Sequence, residues 1–180
     1  MKPILASYKI EIFCFLLTLL SVTGIWQRSL DLQVREKGII DYSIMKLEKP
    51  SNADSLKCTL QAIDNTPGAK ELVRKNLMVD YFFMPGIYLA VAMWLMLIRK
   101  DTVKWAIWLL TGVAILQLVA WGLDINENNH LLAAVRSTDY TLPGISLELF
   151  KSLVTMKFII VYTGIGLALL TCIFKRLVRV

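Results

Sequence analysis

The sequence predicts an all-α polytopic membrane protein: a bundle of four transmembrane helices with a partly helical extracytoplasmic cap between helices 1 and 2. Hydrophobic residues make up 56% of the 180 residues and charged residues 19%, which is well to the apolar side of soluble domains. Four apolar runs each approach or exceed the roughly 18–20 residues that cross a bilayer. The basic residues flank these runs, so the net charge of +6 does not indicate a nucleic-acid partner.

Four spans leave little room for a soluble domain, so we expect a single membrane domain over residues 1–180. The spans are predicted at about 8–27, 80–98, 103–124 and 153–174, from the length and hydropathy of each run. Residues 28–79 then form the extracytoplasmic segment.

The first span ends near Trp26, whose indole suits the membrane interface. Lys2, Lys9 and the short apolar core that follows also resemble a signal peptide. Glu11 lies inside that core and no A-x-A cleavage site follows, so a retained span is the favoured interpretation.

In the first part of residues 28–79 the apolar residues follow neither a helical nor a strand periodicity. The later part contains clear helix signals. Pro50-Ser51-Asn52 predicts a break, and Ala53–Ile63 predicts a short helix. Thr66 as N-cap with Pro67 at the first helical position predicts a helix that runs on into span two. Pro85 is expected to kink that helix.

The turn between spans two and three is short, which makes them an antiparallel hairpin of helices. Asp101 or Thr102 is expected to cap span three.

Loop charge predicts the orientation, because cytoplasmic loops carry excess lysine and arginine. Basic residues precede span one, crowd the turn between spans two and three, and end the chain: Lys2, Lys9, Arg99, Lys100, Lys104, Lys175, Arg176 and Arg179. With four spans these segments share one side, so both termini are expected in the cytoplasm.

Polar residues converge at the outer ends of three spans. Asp124, Glu127 and Asn128 are spaced i, i+3 and i+4, so a persisting helix presents them on one face. The candidate site contains six residues of the same leaflet: Asp80, Gln117, Asp124, Glu127, Asn128 and Lys157. Lys157 is the expected counter-ion of Asp80 or Asp124, with hydrogen bonds from Asn128 and Gln117.

This polar cluster has three interpretations: a clamp that holds the helices together, a ligand or proton site, or a catalytic site. The favoured hypothesis is an integral membrane protein that binds an amphipathic ligand, a lipid or a protein partner at the cluster. One alternative is a membrane enzyme acting on a lipid or quinone, with Asp124 or Glu127 as general base. Another is an accessory subunit of a larger membrane complex.

Glu127-x-x-His130 has the spacing of di-iron bundles, but those sites need two such motifs and this chain has one histidine. We therefore expect no metal, and the absence of phosphate-loop and nucleophile motifs predicts no cofactor. The expected partners are membrane lipids, an amphipathic small molecule or another membrane protein. Gly164-x-Gly166 with Ala168 offers a small-residue surface for packing within the chain or for a homo-oligomer.

Four short motifs together resemble a group of small bacterial four-span membrane proteins: Leu30-Asp31-Leu32-Gln33, Asp80-Tyr81-Phe82-Phe83, Asp124-x-x-Glu127-Asn128 and Lys157-Phe158. The Asp-x-x-Glu-Asn element is the most specific of them. The resemblance implies the same architecture and a bacterial inner (plasma) membrane location. It implies no activity.

Overall fold

The computed structural model describes residues 2–100 and 102–178, with the side chains of residues 8–100 and 102–177. Within this part of the chain all regular structure is helical. The helices are α1 (Lys2–Glu36), α2 (Ile44–Glu48), α3 (Ala53–Asn65), α4 (Ala69–Ile98), α5 (Lys104–Arg136) and α6 (Leu147–Val178).

Four of the helices, α1, α4, α5 and α6, are long and apolar enough to cross a membrane. The predicted all-α class with four membrane-length helices is therefore confirmed. The helices extend beyond the predicted spans, since α1 runs on to Glu36, α4 starts at Ala69 and α5 ends at Arg136. Hydropathy marks only the part of a helix that lies in hydrocarbon, whereas turn and capping signals set its ends.

Helix α4 is the centre of the bundle. It packs along α1 on one side and against α5 and α6 on the other, and α5 also packs on α6. Among the described residues, α1 and α6 share no extensive contact. The bundle is therefore an open arrangement, with a gap between α1 and α6 that has α4 as its floor.

The segment between α1 and α4 covers one end of the bundle. Its buried Tyr42, Leu47 and Leu60 belong to the same hydrophobic core as Leu131 of α5 and Phe150 of α6. This core fixes α2 and α3 against the ends of the long helices.

The helix boundaries predicted for this segment are correct in part. The predicted break at Pro50-Ser51-Asn52 is confirmed, and the Asn52 side chain accepts a hydrogen bond from the backbone N–H of Ser55 at the start of α3. The predicted N-cap at Thr66 is wrong. Gly68, in a left-handed conformation with φ 79°, precedes α4, while the Thr66 hydroxyl donates to the Ala62 carbonyl of α3.

At the start of α5 the N-cap is Val103, which makes no side-chain capping bond. The Thr102 hydroxyl donates to the Arg99 carbonyl at 2.7 Å, so it closes the preceding turn rather than capping α5. Asp101 lies outside the described residues. Pro85 lies inside α4, which continues to Ile98.

The small residues of α6 have different surroundings. A Cβ on Gly164 would lie 2.6 Å from Gln117 Nε2 and 2.8 Å from Val91 Cγ1, whereas a Cβ on Gly166 would meet no described atom within 4 Å. Ala168 is fully buried. Close packing of α6 on α4 and α5 therefore depends on Gly164 and Ala168, one helical turn apart.

The variant Gly164→Ala is expected to be destabilised by about 1–3 kcal/mol, because the added methyl group must displace Gln117 and Val91 in a packed interface. Thermal unfolding in mild detergent measures this loss. Gly166→Ala is the matched control, and we expect it to unfold at the same temperature or higher, since alanine favours a helix by up to about 1 kcal/mol. Equal losses in the two variants would contradict this packing.

Candidate functional site

Lys157 of α6 is buried among carboxylates and is only 3% exposed. Its Nζ lies 2.5 Å from Asp124 Oδ1, 2.6 Å from Glu127 Oε2 and 3.6 Å from Glu48 Oε2. Asp124 and Glu127 are one turn apart on α5, which stays helical through this stretch as the spacing predicts. Glu48 comes from α2. We call these four residues the Lys157 cluster.

The cluster contains three carboxyl groups but a single lysine. Both oxygens of Asp124 are engaged, because Oδ2 accepts a hydrogen bond of 2.8 Å from the Tyr88 hydroxyl. Glu127 Oε1 is buried and has no hydrogen-bond partner among the described residues. One ammonium group therefore lies within ion-pair distance of three carboxyl groups, and Glu127 Oε1 is left as an unused hydrogen-bond acceptor.

Asp80 of α4 lies beside the cluster but is bound by neutral amides. Its Oδ1 accepts a hydrogen bond of 2.7 Å from Gln27 of α1, and its Oδ2 accepts one of 2.8 Å from Asn128 of α5. Asn128 also donates to the Leu77 carbonyl at 3.2 Å. Of the two counter-ions expected for Lys157, the direct ion pair is with Asp124.

Gln117 lies away from the cluster, which differs from the expected role in bonding the Lys157 ion pair. Its Nε2 donates to the Ile160 carbonyl of α6 at 3.0 Å. It precedes Asp124 by seven residues, or about 10 Å along the helix. Gln117 is therefore a clamp between α5 and α6 in the apolar part of the bundle.

Three residues of the site were not predicted from the sequence. Glu48 stands among Lys46, Lys49 and Pro50, a pattern typical of a solvated loop. Tyr88 had a detectable signal, since it follows Asp80 by eight residues and so lies on the same face of α4. The sequence signal for Gln27 was weaker, because it is only a polar amide at the end of the first apolar run.

Glu48 is only 6% exposed, and burial raises the pKa of its carboxyl group to about 7. Lys157 opposes this increase, while the charges of Asp80 and Asp124 add to it. Glu48 thus changes protonation near neutral pH, whereas an exposed glutamate would be fully ionised there.

A cavity of about 310 Å³ opens beside the cluster, between α1 and α6. Its polar wall consists of Gln27, Glu48, Asp80, Tyr88, Asp124 and Lys157. Its apolar wall consists mainly of Phe83, Ile87, Phe158, Val161, Tyr162 and Ile165. Two exposed lining residues, Met45 and Tyr162, form part of the rim. The cavity is therefore polar on one side, apolar on the other, and accessible from the gap between the helices.

An aromatic ring in this cavity already contacts ammonium groups. Lys49 Nζ lies 3.9 Å from the centroid of Phe158, and Lys157 Nζ lies 5.0 Å from it. Contacts of this length are favourable cation–π interactions. Since Lys49 is exposed, its ammonium group reaches this ring from the surface.

His130 is not part of the cluster. Its Nδ1 lies 3.0 Å from the Pro143 carbonyl in the turn that precedes α6. Over the described residues, no set of three or more His, Cys, Asp or Glu residues has an arrangement that could hold a metal ion.

Comparison of the chain with protein-family models, with curated proteins and with solved structures gives no match.

Replacement of Lys157 by methionine is expected to destabilise the protein by about 3–5 kcal/mol, because three buried carboxyl groups lose the cation with which they pair. Thermal or denaturant unfolding in detergent measures the loss. Adding Glu127→Gln to Lys157→Met should recover part of it. Lys75→Met is the control, since Lys75 makes an exposed contact of 4.0 Å with Glu71, and exposed pairs contribute little. A Lys157→Met protein as stable as the control would contradict the cluster.

Proposed function

We propose that this integral membrane protein binds an amphipathic molecule with a cationic headgroup in the cavity between α1 and α6. The observation that carries the proposal is the cavity itself, which joins a wall of carboxylates to a wall of aromatic and aliphatic side chains. A ligand that is polar at one end and apolar at the other matches both walls.

The charge of the polar wall favours a cationic headgroup. Glu48, Asp80 and Asp124 line the cavity beside a single lysine, Lys157, which Asp124 and Glu127 already hold at ion-pair distance. An added cation reduces the repulsion among the carboxylates in a low-dielectric setting. An anionic headgroup would increase it.

The aromatic side chains favour an alkylammonium or quaternary ammonium group. Phe83, Tyr88, Phe158 and Tyr162 all line the cavity. Rings around a cation, with carboxylates nearby, form the aromatic cages that recognise such groups. The exposed ammonium group of Lys49 occupies one ring face in this way and would be exchanged for the ligand's own cation.

The apolar wall suits an alkyl tail. From Lys157 to Ile165 the cavity follows α6 for eight residues, or about 12 Å. The gap between α1 and α6 opens sideways at this level, so a tail can enter from the lipid without crossing the cap.

Asp124 is a poor general base as it stands, because one oxygen pairs with Lys157 and the other accepts the Tyr88 hydroxyl. A general base must lie within hydrogen-bond reach of the proton it removes, and each oxygen of Asp124 already faces a donor of the protein itself. This occupancy supports binding rather than catalysis by Asp124.

The proposal places the cavity in the outer leaflet of a bacterial plasma membrane, with both termini in the cytoplasm. Basic residues at the opposite end of the bundle support this orientation, among them Lys9, Arg99, Lys100 and Lys175. The bacterial location follows from the resemblance of the four motifs alone.

The test uses the purified protein in neutral lipid nanodiscs and a photoreactive dodecyltrimethylammonium probe. We expect saturable labelling of α4 and α6 that unlabelled dodecyltrimethylammonium competes away. The double variant Glu48→Gln/Asp124→Asn should weaken labelling about tenfold or more, because two charges of the wall are lost. Glu71→Gln, which removes an exposed carboxylate outside the cavity, should label like the unchanged protein.

Equal labelling of the cavity variant and the control would contradict the proposal. So would equal labelling by a dodecyl sulfate analogue of the same length, since the carboxylates should repel it. Labelling of the cavity by a neutral dodecyl glycoside alone would show that apolar packing, and not charge, selects the ligand.

Binding of the cationic probe is expected to increase from about pH 6 to about pH 8, because Glu48, with its pKa near 7, is neutral at the lower value and ionised at the higher. The groups that face it are Lys157 of α6, Asp80 of α4, and Asp124 and Glu127 of α5. The Glu48→Gln variant should show a flatter pH profile. An unchanged profile in that variant would contradict the assignment to Glu48.

A further inference from the structure

A second cavity, of about 480 Å³, lies on the seam between α1 and α4 at the other end of the bundle. Its interior is apolar, with Leu16 of α1 and Leu89, Met93 and Met96 of α4 among the lining residues. Basic side chains complete the lining: Lys9, Arg99 and Lys100. Glu11 of α1 is not among the residues that line it.

The position of this cavity matches the opposite surface of a membrane. Asp80 at the first cavity and Arg99 at the second are nineteen residues apart on one helix, or about 28 Å. That distance is close to the thickness of the hydrocarbon core, about 30 Å. The basic lining residues Lys9, Arg99 and Lys100 therefore lie at the level of lipid headgroups.

The turn after α4, which carries Arg99 and Lys100, is held in place by hydrogen bonds to other helices. Arg99 Nη1 donates to the Thr111 hydroxyl of α5 at 2.8 Å. Lys175 of α6 donates to the carbonyl groups of Ile98 and Lys100. The turn is thus tied to two other helices, and Arg99 retains guanidinium donors for an anion.

We propose that this cavity binds an anionic phospholipid, with the phosphate among Lys9, Arg99 and Lys100 and an acyl chain along Leu16 and Met96. Three cationic groups at headgroup depth attract anionic lipid, and an arginine can bind phosphate oxygens through two parallel hydrogen bonds. The apolar interior is suited to the acyl chain and gives a free phosphate ion no contact.

The inference does not depend on the proposed function, because the two cavities share no lining residue and have walls of opposite charge. Either can fail while the other holds.

The test is native mass spectrometry of the full chain released from detergent with phosphatidylglycerol or phosphatidylcholine of matched acyl chains. We expect one phosphatidylglycerol to remain bound in preference to phosphatidylcholine. Lys9→Gln/Lys100→Gln should weaken that binding about thirtyfold, on the scale of about fivefold for each basic residue at an anionic surface.

Lys104→Gln/Arg176→Gln is the matched control, because it removes two charges near the same end of the bundle from residues that do not line the cavity. A loss at least as large in the control would overturn the proposal in favour of general surface charge. Thermal unfolding of both double variants checks that each remains folded.

A further variant, Met96→Trp, fills the cavity from an exposed lining position and leaves its charges in place. It should also lose the bound phosphatidylglycerol, and retention at full affinity would contradict an acyl chain in the cavity. Inorganic phosphate should not displace the lipid at equal concentration. Displacement by phosphate alone would overturn the lipid assignment in favour of a free anion.

Discussion

The ammonium group of Lys157, buried among three carboxyl groups, joins α2, α5 and α6. Removing a charge from water costs several kcal/mol, and partners in good geometry are needed to offset it. Those partners come from α5, through Asp124 and Glu127, and from α2, through Glu48. The pairing therefore requires α5 to remain helical past the predicted end of its span, and α2 to dock on the bundle.

The same pairing explains why the bundle is open on one side. Helices α4, α5 and α6 meet around the cluster, whereas α1 contributes the hydrogen bond from Gln27 to Asp80 beside it. Two carboxyl groups of the cluster, those of Glu48 and Asp124, line the cavity in the gap between α1 and α6. The cluster thus has more carboxyl groups than lysines. A clamp that only joined helices would need one carboxylate for one lysine. This surplus of carboxyl groups, together with the cavity beside it, is the physical basis for the proposed ligand site.

The fold follows from the sequence to a large degree, because apolar runs of membrane length leave few arrangements. Helical spacing also placed Asp124, Glu127 and Asn128 on one face, and shared depth brought Asp80 and Lys157 near them. Glu48 was beyond such reasoning, since its burial results from the docking of α2 and not from any local pattern. Gln117 was predicted to join the site but does not. It shares a helix face with Asp124, but seven residues separate the two along α5. Sequence spacing does not show that its amide is nearest to the Ile160 carbonyl.

The decisive experiment is a structure of the protein in lipid nanodiscs with a bound alkyltrimethylammonium amphiphile. We expect density between α1 and α6, with the headgroup against Glu48 and Asp124 and the tail along Ile165. A bundle in which α1 closes against α6, with Lys157 still paired and no density beside Asp124, would contradict it and leave the cluster as a helix clamp.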